Sequence, residues 1–164
     1  MARLMALDVG EARIGVAISD ATGFLASPYT TLHVTRDEAQ TFKTIQHLID
    51  ETETEGLVIG LPISLDGEIH SQGERVLAFA GRLKEHITIP LTFWDERLST
   101  VEAQRLLSER KEAEQGKHHK AGDRKKRDQA KRRRRKQEID ALAAAVILQE
   151  YLDQQMSKTR GTNI

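Results

Sequence analysis

The amino-acid sequence predicts an α/β protein built on one mixed five-stranded sheet with flanking helices. Two patterns indicate this class. Short apolar runs alternate with stretches of helical periodicity, and the order of elements is three strands followed by αβαβα. Strands joined by short turns usually pair antiparallel, whereas strands separated by helices pair in parallel. We therefore expect three antiparallel strands that lead into parallel strands of the same sheet.

Composition limits the classes of protein and of site that remain. The 164 residues suit one domain, expected over residues 1–156, with a polar tail at 157–164. There is no cysteine, which excludes disulfides, thiolate nucleophiles and cysteine-zinc sites. No run of 18 apolar residues and no signal region are present, so a soluble protein that is neither secreted nor in a membrane is expected.

The charge of the chain is segregated although its formal net value is zero. Residues 110–136, a predicted basic insertion, hold fourteen Lys or Arg and four Asp or Glu, and the rest of the chain holds eleven basic and twenty-one acidic residues. An acidic body that carries a compact basic segment is typical of proteins that bind a polyanion at one place.

The first two elements form a predicted β-hairpin. The apolar run Leu4–Leu7 ends in Asp8, a turn follows at residues 9–13, and Ile14–Ile18 is the second strand. A carboxylate at the end of a buried strand needs a partner. A metal ion is one candidate, and backbone N–H groups of the turn are another.

The remaining strands and helices follow from alternation, helical spacing and turn signals. Each of the first two predicted helices is followed by an apolar strand, and the helix after residue 61 has two candidate starts. In chain order, the predicted elements are a strand at 29–34, a helix at 37–53 opened by a Thr35/Glu38 capping box, a strand at 57–61, a helix from 68 or 71 to 85, a strand at 91–95, a helix opened by a Ser99/Glu102 capping box, and a closing helix from Ile139. The apolar-poor stretch 111–130 is expected to be a mobile basic arm or a solvated helical extension.

Three carboxylates stand at the edge of apolar surroundings. Asp8 ends the first strand, Glu96 directly follows the last, and Asp140 borders the apolar stripe of the closing helix. If the three converge, their mutual repulsion favours a hard divalent cation, Mg²⁺ or Mn²⁺. Two such ions ~3.5–4 Å apart can activate a water and stabilise both the attacking and the leaving oxygen in phosphodiester hydrolysis.

Other charged residues have less specific interpretations. Asp95 is expected to hold Arg97 at the surface, Asp66 to form a turn with Gly67, and His118-His119 to be solvated. Adjacent like charges repel, and a polyanionic partner relieves that repulsion. The candidate phosphate-binding residues are Arg97, Lys125, Lys126, Arg132, Arg133, Arg134, Arg135 and Lys136. Aromatic residues are only 4% of the chain and none interrupts the run 132–136, which argues against base stacking.

Four sequence blocks resemble the YqgF (RuvX-like) family, pre-16S rRNA nucleases related to Holliday junction resolvases. They are LDVGEARIGVAISD (7–20), GLVIGLPISLDG (56–67), FWDERLSTVEAQRLL (93–107) and IDALAAAVILQEYLD (139–153). The resemblance implies an RNase H-like nuclease domain with Asp8, Glu96 and Asp140 as metal-binding catalytic acids. In that arrangement Asp8 would bridge two ions, and Glu96 and Asp140 would each complete one ligand shell. It also implies cytoplasmic action on the 5′ end of precursor 16S rRNA, including on pre-ribosomal particles.

The chain departs from that family pattern at Ser64, where an Asn is common, and in the length and charge of its basic segment. Three alternative functions remain open at this point. A junction resolvase acting on branched DNA would favour a dimer over a monomer, and a non-catalytic RNA-binding assembly factor would depend on the basic segment alone. The actin-like sugar kinases share the opening hairpin but need two such domains, for which 164 residues are too few.

Overall fold

The computed structural model describes residues 2–98, Arg105 and residues 125–161. In these ranges three strands come first, two further strands each follow a helix, and a long helix comes last. The elements are β1 (Leu4–Val9), β2 (Arg13–Ser19), β3 (Ala26–His33), α1 (Glu38–Glu51), β4 (Gly56–Leu61), α2 (Ser71–Lys84), β5 (Leu91–Asp95), a 3₁₀ turn (Glu96–Leu98) and α3 (Lys125–Gly161).

The five strands form one mixed sheet in the order β3-β2-β1-β4-β5. Strand β2 pairs antiparallel with both β1 and β3, while β4 pairs in parallel with β1 and β5. The prediction of three antiparallel strands leading into parallel ones is therefore confirmed. This order places the carboxyl ends of β1, β4 and β5 side by side at one edge of the sheet, where ligands of α/β proteins commonly bind.

The sheet separates two apolar layers because successive side chains of a strand point to opposite faces. In β1, Met5 and Leu7 pack in the layer that holds α1 and α2, whereas Ala6 packs in the layer that holds α3. Small residues of α3, such as Ala143 and Ala144, are buried against the sheet. The side of the sheet that α3 covers is called the α3 face below.

The direction of α3 follows from its hydrogen bonds to β3 and to Phe24, which precedes β3 in the chain. Near its middle, the Thr31 hydroxyl donates to the Gln137 carbonyl at 2.6 Å. Three turns later the Gln149 side chain accepts from the Ala26 N–H at 2.9 Å and donates to the Phe24 carbonyl at 3.0 Å. Helix α3 thus runs antiparallel to β3, and hence to β1, β4 and β5. Its N-terminal part extends past the carboxyl ends of these three strands.

The start of α1 differs from its prediction. The residue that caps the helix is Asp37, and its side chain makes no capping hydrogen bond. The Thr35 hydroxyl instead donates to the Asp37 carbonyl at 3.0 Å, so the predicted Thr35/Glu38 capping box is wrong. Strand β3 begins at Ala26 rather than at residue 29, and α2 begins at Ser71, the later of its two candidate starts.

Helix α3 is longer than the predicted closing helix. It begins at Lys125 and ends at Gly161, which is 37 residues and about 55 Å at ~1.5 Å per residue. Within the described residues this confirms a helical extension from residue 125, which is solvent-exposed at residues 127–130. The helix also continues past residue 156, so the start of the polar tail is helical. The predicted Ser99/Glu102 capping box and His118-His119 lie outside the described residues.

Candidate functional site

Asp8 lies on the α3 face at the carboxyl edge of β1. Alternation along the strand places its side chain on the same face as Ala6, which packs in the α3 layer. Only 2% of the residue is exposed. In the antiparallel pairing of β1 with β2, Asp8 stands opposite Gly15. The apolar run that makes β1 a central strand therefore carries this carboxylate into the interior.

Asp140 reaches the same place because Gly15 has no side chain. A Cβ at Gly15 would overlap the backbone carbonyl group of Asp140, so this glycine allows α3 to approach β2 at that point. Asp140 is fully buried. Since Gly15 stands opposite Asp8, the two acids are brought to neighbouring positions on one face of the sheet.

Glu96 completes the group from the next strands. It follows β5, in which Trp94 pairs with Gly60 of β4. A Cβ at Gly60 would stand 3.0 Å from Glu96 Oε1, so the carboxylate lies directly over this glycine. The parallel register of β1 and β4 pairs Leu7 with Ile59, which makes Gly60 level with Asp8. The structure thus places the three acids predicted from the sequence at one edge and on one face.

Arg13 is a charged residue of this site that sequence reasoning missed. Its Nε donates to Asp140 Oδ2 at 2.5 Å, and the two side chains are 15% and 1% exposed. A buried carboxylate is costly unless a cation and hydrogen bonds compensate it, and Arg13 supplies both. The one sequence feature that could have indicated this role is an arginine two residues before Gly15, on the same face of the strand. Its partner Asp140 is 127 residues away in sequence, so no local pattern connects the two residues.

Arg97, a predicted phosphate ligand, forms a forked ion pair with Asp95. Its Nη2 donates to Asp95 Oδ2 at 2.7 Å and its Nε to Oδ1 at 3.1 Å. This pairing holds the pKa of the Asp95 carboxyl below its usual value and raises the pKa of Arg97. The expectation that Asp95 holds Arg97 is confirmed, so much of the charge of this arginine is neutralised within the protein.

A cleft of about 610 Å³ opens beside Glu96. It is lined by the loop after β4, including Ser64 and Asp66, and by His70 at the start of α2. The predicted turn at Asp66-Gly67 is confirmed, since Gly67 has a φ of +86° and Asp66 Oδ1 accepts from the Glu68 N–H at 2.9 Å. The potential metal-ligand atoms of Asp66, Glu68 and His70 lie within 4.8 Å of one another. All three residues are exposed, and such groups are common on surfaces without an ion.

The predicted phosphate-binding residues other than Arg97 lie in the N-terminal part of α3. Lys125 and Lys126 begin the helix, residues 132–135 are exposed, and Lys136 is half-buried. They precede Asp140 on the same continuous helix. The predicted basic segment and the acidic group are therefore joined by one rigid element within the described part of the chain.

The chemistry of the acidic group suits a divalent metal ion, although among the described residues only Asp66, Glu68 and His70 bring three potential ligand atoms within 4.8 Å of one another. The donors are carboxylate oxygens, which are the ligands that Mg²⁺ and Mn²⁺ prefer. A cation also already stands at the site, because the Arg13 guanidinium contacts the buried Asp140 carboxylate. The arrangement can thus hold positive charge against an apolar wall at the carboxyl edge of the sheet.

Comparison with known sequences decides the family. A family model described as "RuvX: Holliday junction resolvase" matches residues 2–154. The chain belongs to the RuvX family. This confirms the family that the four sequence blocks resemble.

Curated relatives of this RuvX-family chain cover nearly its full length. A protein of Thermoanaerobacter pseudethanolicus is 41% identical over 156 residues, which are 95% of this chain and 99% of the relative. A protein of Roseiflexus sp. is 43% identical over 154 residues, 93% and 95% of the two chains. Both are named "Putative pre-16S rRNA nuclease".

A solved structure of similar fold is "T. thermophilus RuvC in complex with Holliday junction substrate". The TM-score is 0.53 at 8% sequence identity, and the match covers 95% of the RuvX-family chain and 96% of RuvC. This likeness concerns the fold, and it confirms the predicted RNase H-like architecture. None of the helices in the described ranges combines the length and apolar character needed to cross a bilayer.

Proposed function

We propose that this protein is a metal-dependent endonuclease that hydrolyses phosphodiester bonds, with Asp8, Glu96 and Asp140 as its metal-binding catalytic residues. The observation that carries the proposal is the collection of these acids at one edge of the sheet, where Gly15 and Gly60 leave room for them. Membership of the RuvX family and the names of the curated relatives support the same reaction class.

The three acids would hold Mg²⁺ or Mn²⁺, proposed as two ions. When bound, such ions supply an activated water and stabilise the attacking and leaving oxygens of the phosphodiester. The protein's own contribution is positioning. Asp8 and Asp140 are fixed by burial, the Arg13 hydrogen bond orients the Asp140 carboxylate, and Glu96 stands at the open side beside the cleft. Fixed charges in a water-poor site act more strongly than they would in solvent.

The proposed substrate is the 5′ region of precursor 16S rRNA, processed in the cytoplasm either free or on pre-ribosomal particles. The printed names of the relatives support this choice, and the net positive charge of residues 110–136 supports a nucleic-acid partner. Phosphate contacts are assigned to a subset of the basic residues of α3, with Arg97 as an additional contact if it exchanges Asp95 for phosphate.

The second candidate is cleavage of branched DNA, favoured by the family description, which names a Holliday junction resolvase. A resolvase must present two active sites to a symmetric junction, so this function requires a homodimer, whereas RNA processing is compatible with a monomer. A non-catalytic RNA-binding role would use α3 but not the acids.

The decisive experiment compares wild type with Asp8→Asn on two labelled substrates, a precursor 16S 5′ segment and a four-way DNA junction, in Mn²⁺ or EDTA. Asn preserves the size of the buried side chain but removes its charge, so we expect an unchanged fold and a loss of cleavage of at least about 100-fold. Asp50→Asn is the matched control, because Asp50 is exposed on α1 on the other side of the sheet.

The outcomes separate the candidates. Metal-dependent cleavage of the RNA that Asp8→Asn abolishes supports rRNA processing, and cleavage of the junction alone supports the resolvase. Binding of both substrates without cleavage would favour the RNA-binding role. Full activity in a correctly folded Asp8→Asn protein would remove Asp8 from the mechanism.

A further inference from the structure

We infer that one face of the basic part of α3, carrying Arg133 and Lys136, holds the phosphates of the nucleic-acid strand that enters the acidic site. The opposite face, carrying Lys131 and Arg135, does not contact that strand. The inference rests on the proposed nuclease function and adds to it which of the many basic residues bind. Arg133 and Lys136 are called the inner pair, and Lys131 and Arg135 are called the outer pair.

The basic part of α3 extends over the edge of the sheet where the acids lie. Helix α3 runs antiparallel to β1, β4 and β5, so its N-terminal end passes their carboxyl ends. Gln137 contacts β3 through the Thr31 hydroxyl, and residues 127–135, which precede it, are all exposed. The twelve residues from Lys125 to Lys136 span about 18 Å at ~1.5 Å each. Their inner side therefore faces the space beyond the carboxyl ends of the strands, the end of the sheet at which Asp8 and Glu96 lie.

The helical repeat assigns each basic residue to a side. Residues four and seven positions before Asp140 lie on its face, which places Lys136 and Arg133 with the side that is buried farther along the helix. Lys136 is accordingly half-buried. Glu138 and Leu142, two positions on either side of Asp140, are exposed and mark the outer side. Lys131 and Arg135 are nine and five positions before Asp140, about 180° and 140° away at ~100° per residue.

The spacing of the inner pair suits consecutive phosphates. Lys136 and Arg133 lie about 6 and 10 Å from Asp140 along the helix axis, at ~1.5 Å per residue. One strand of a duplex presents a phosphate every ~3.4 Å of axis, so the two cations fall within about three phosphates of the bond that is cut. The rest of the chain carries twenty-one acidic against eleven basic residues outside 110–136, which repels a polyanion from other surfaces.

The test compares two double variants that have the same change in charge and composition. Arg133→Gln/Lys136→Gln removes the inner pair, and Lys131→Gln/Arg135→Gln removes the outer pair, each from the same helix. Binding of the labelled RNA segment and of the four-way junction is measured in EDTA, so that cleavage does not interfere. Circular dichroism of all three proteins checks that α3 is retained.

We expect the inner-pair variant to lose about tenfold or more in affinity at low salt. Its slope of log K against log salt should fall by about 1.4–1.8, because each phosphate contact contributes ~0.7–0.9. The affinity of the outer-pair variant should stay within about threefold of the wild-type affinity. Its lost charges weaken only the long-range attraction between the protein and the nucleic acid. Equal losses in the two variants, or no loss in the inner-pair variant, would overturn the inference.

A second measurement locates the contact. Uncharged methylphosphonate linkages placed one at a time within about three nucleotides of the cleavage site should weaken binding to wild type but not to the inner-pair variant. Substitutions that weaken both proteins equally would contradict a contact with this pair.

The same proteins separate this inference from the proposed function. Face-dependent binding by a wild type that cuts neither substrate in Mn²⁺ would refute the nuclease and leave the inner pair established. Metal-dependent cleavage together with equal losses in both double variants would do the reverse. Failure of wild type to bind either nucleic acid would overturn both.

Discussion

At the scale of single residues, the ion pair between Arg13 and Asp140 holds a charge inside the protein that burial alone would disfavour. Asp140 is fully buried, and its Oδ2 lies 2.5 Å from Arg13 Nε. A bound metal ion and a paired arginine can each compensate the cost of burying a charged carboxylate. The pair therefore connects the stability of the α3–β2 contact with the charge of the proposed metal site.

The first prediction concerns Arg13→Gln. Removing one partner of a buried pair leaves the other charge poorly compensated, so we expect a loss of about 3 kcal/mol in the free energy of unfolding in EDTA. A divalent ion replaces the lost positive charge, so Mn²⁺ should restore more stability to this variant than to wild type. Urea unfolding with and without Mn²⁺ measures both effects.

Arg82→Gln is the control for that prediction. Arg82 makes a forked pair with Glu38 at 2.8 Å, but on the surface. Exposed pairs contribute at most ~1 kcal/mol, and this one joins α1 and α2 on the other side of the sheet from α3. The loss of unfolding free energy in Arg82→Gln should be small and independent of Mn²⁺. An Arg13→Gln protein that behaves like Arg82→Gln would show that the buried pair has no special role.

The second prediction concerns Asp95→Asn. Arg97 lowers the pKa of Asp95, whose usual value is 3.8, so the carboxylate remains charged and neutralises Arg97 at pH 7. The variant should bind nucleic acid more tightly, by about two- to threefold, because Arg97 regains its full charge toward phosphate. Filter binding at pH 7 in EDTA measures this, and unchanged affinity would exclude Arg97 as a phosphate ligand.

The same pair gives a pH dependence of stability. Because its folded-state pKa is depressed, Asp95 contributes stability that is fully present above about pH 3.8 and is lost as the pH falls through the lower folded value. The difference in stability between wild type and Asp95→Asn should therefore be constant near neutral pH and disappear in acid. A difference that grows toward acid would have the wrong sign.

At the scale of the elements, the contact of α3 with β2 depends on the missing side chain of Gly15. The third prediction is that Gly15→Ala destabilises the protein by about 1–3 kcal/mol, because its Cβ overlaps the Asp140 carbonyl and α3 must shift. Thermal and urea unfolding measure the loss, and cleavage should fall with it because Asp140 moves.

The matched control is Gly81→Ala in α2. A Cβ at Gly81 meets no atom within 4 Å in the described part of the chain, and alanine favours helix. We expect this change to stabilise the protein by up to ~1 kcal/mol. If both alanines act alike, the close approach at Gly15 does not determine stability.

The sequence predicts these elements well where apolar residues recur, and less well where they do not. Strands β1, β2 and β4 and the later part of α3 have runs or repeats of buried apolar residues, which is why their positions are close to the predicted ones. Strand β3 has no buried residue, and it begins at Ala26 rather than at residue 29. The sequence predicts the closing helix only from Ile139, whereas α3 begins at Lys125, because residues 125–138 have helix-forming side chains but no apolar repeat. The capping box is absent because α1 begins after Asp37, two residues later than a Thr35 cap requires, and the Thr35 hydroxyl donates to the Asp37 carbonyl instead.

At the scale of the whole molecule, the site depends on strand order, which a single sequence does not contain. The ends of strands identified Asp8 and Glu96 as candidates, and their proximity follows from β4 lying between β1 and β5. Arg13 escaped prediction because its role exists only once α3 crosses β2. Gly15 and Gly60 likewise gave no turn signal, since their function is to leave space for groups far away in sequence.

Helix α3 is unbroken from Lys125 to Gly161, so a change in its length also rotates its N-terminal part relative to the rest of the helix. The inner pair and Asp140 belong to one helix, so every residue inserted between Lys136 and Gln137 turns the inner pair by ~100° and moves it by ~1.5 Å. The fourth prediction is that one or two inserted alanines weaken nucleic-acid binding like loss of the inner pair, whereas four restore much of it. Affinity is measured for insertions of zero to seven alanines. An affinity that oscillates with insertion length would show that the inner pair must face the same side of the helix as Asp140. A steady decline would mean that only distance matters.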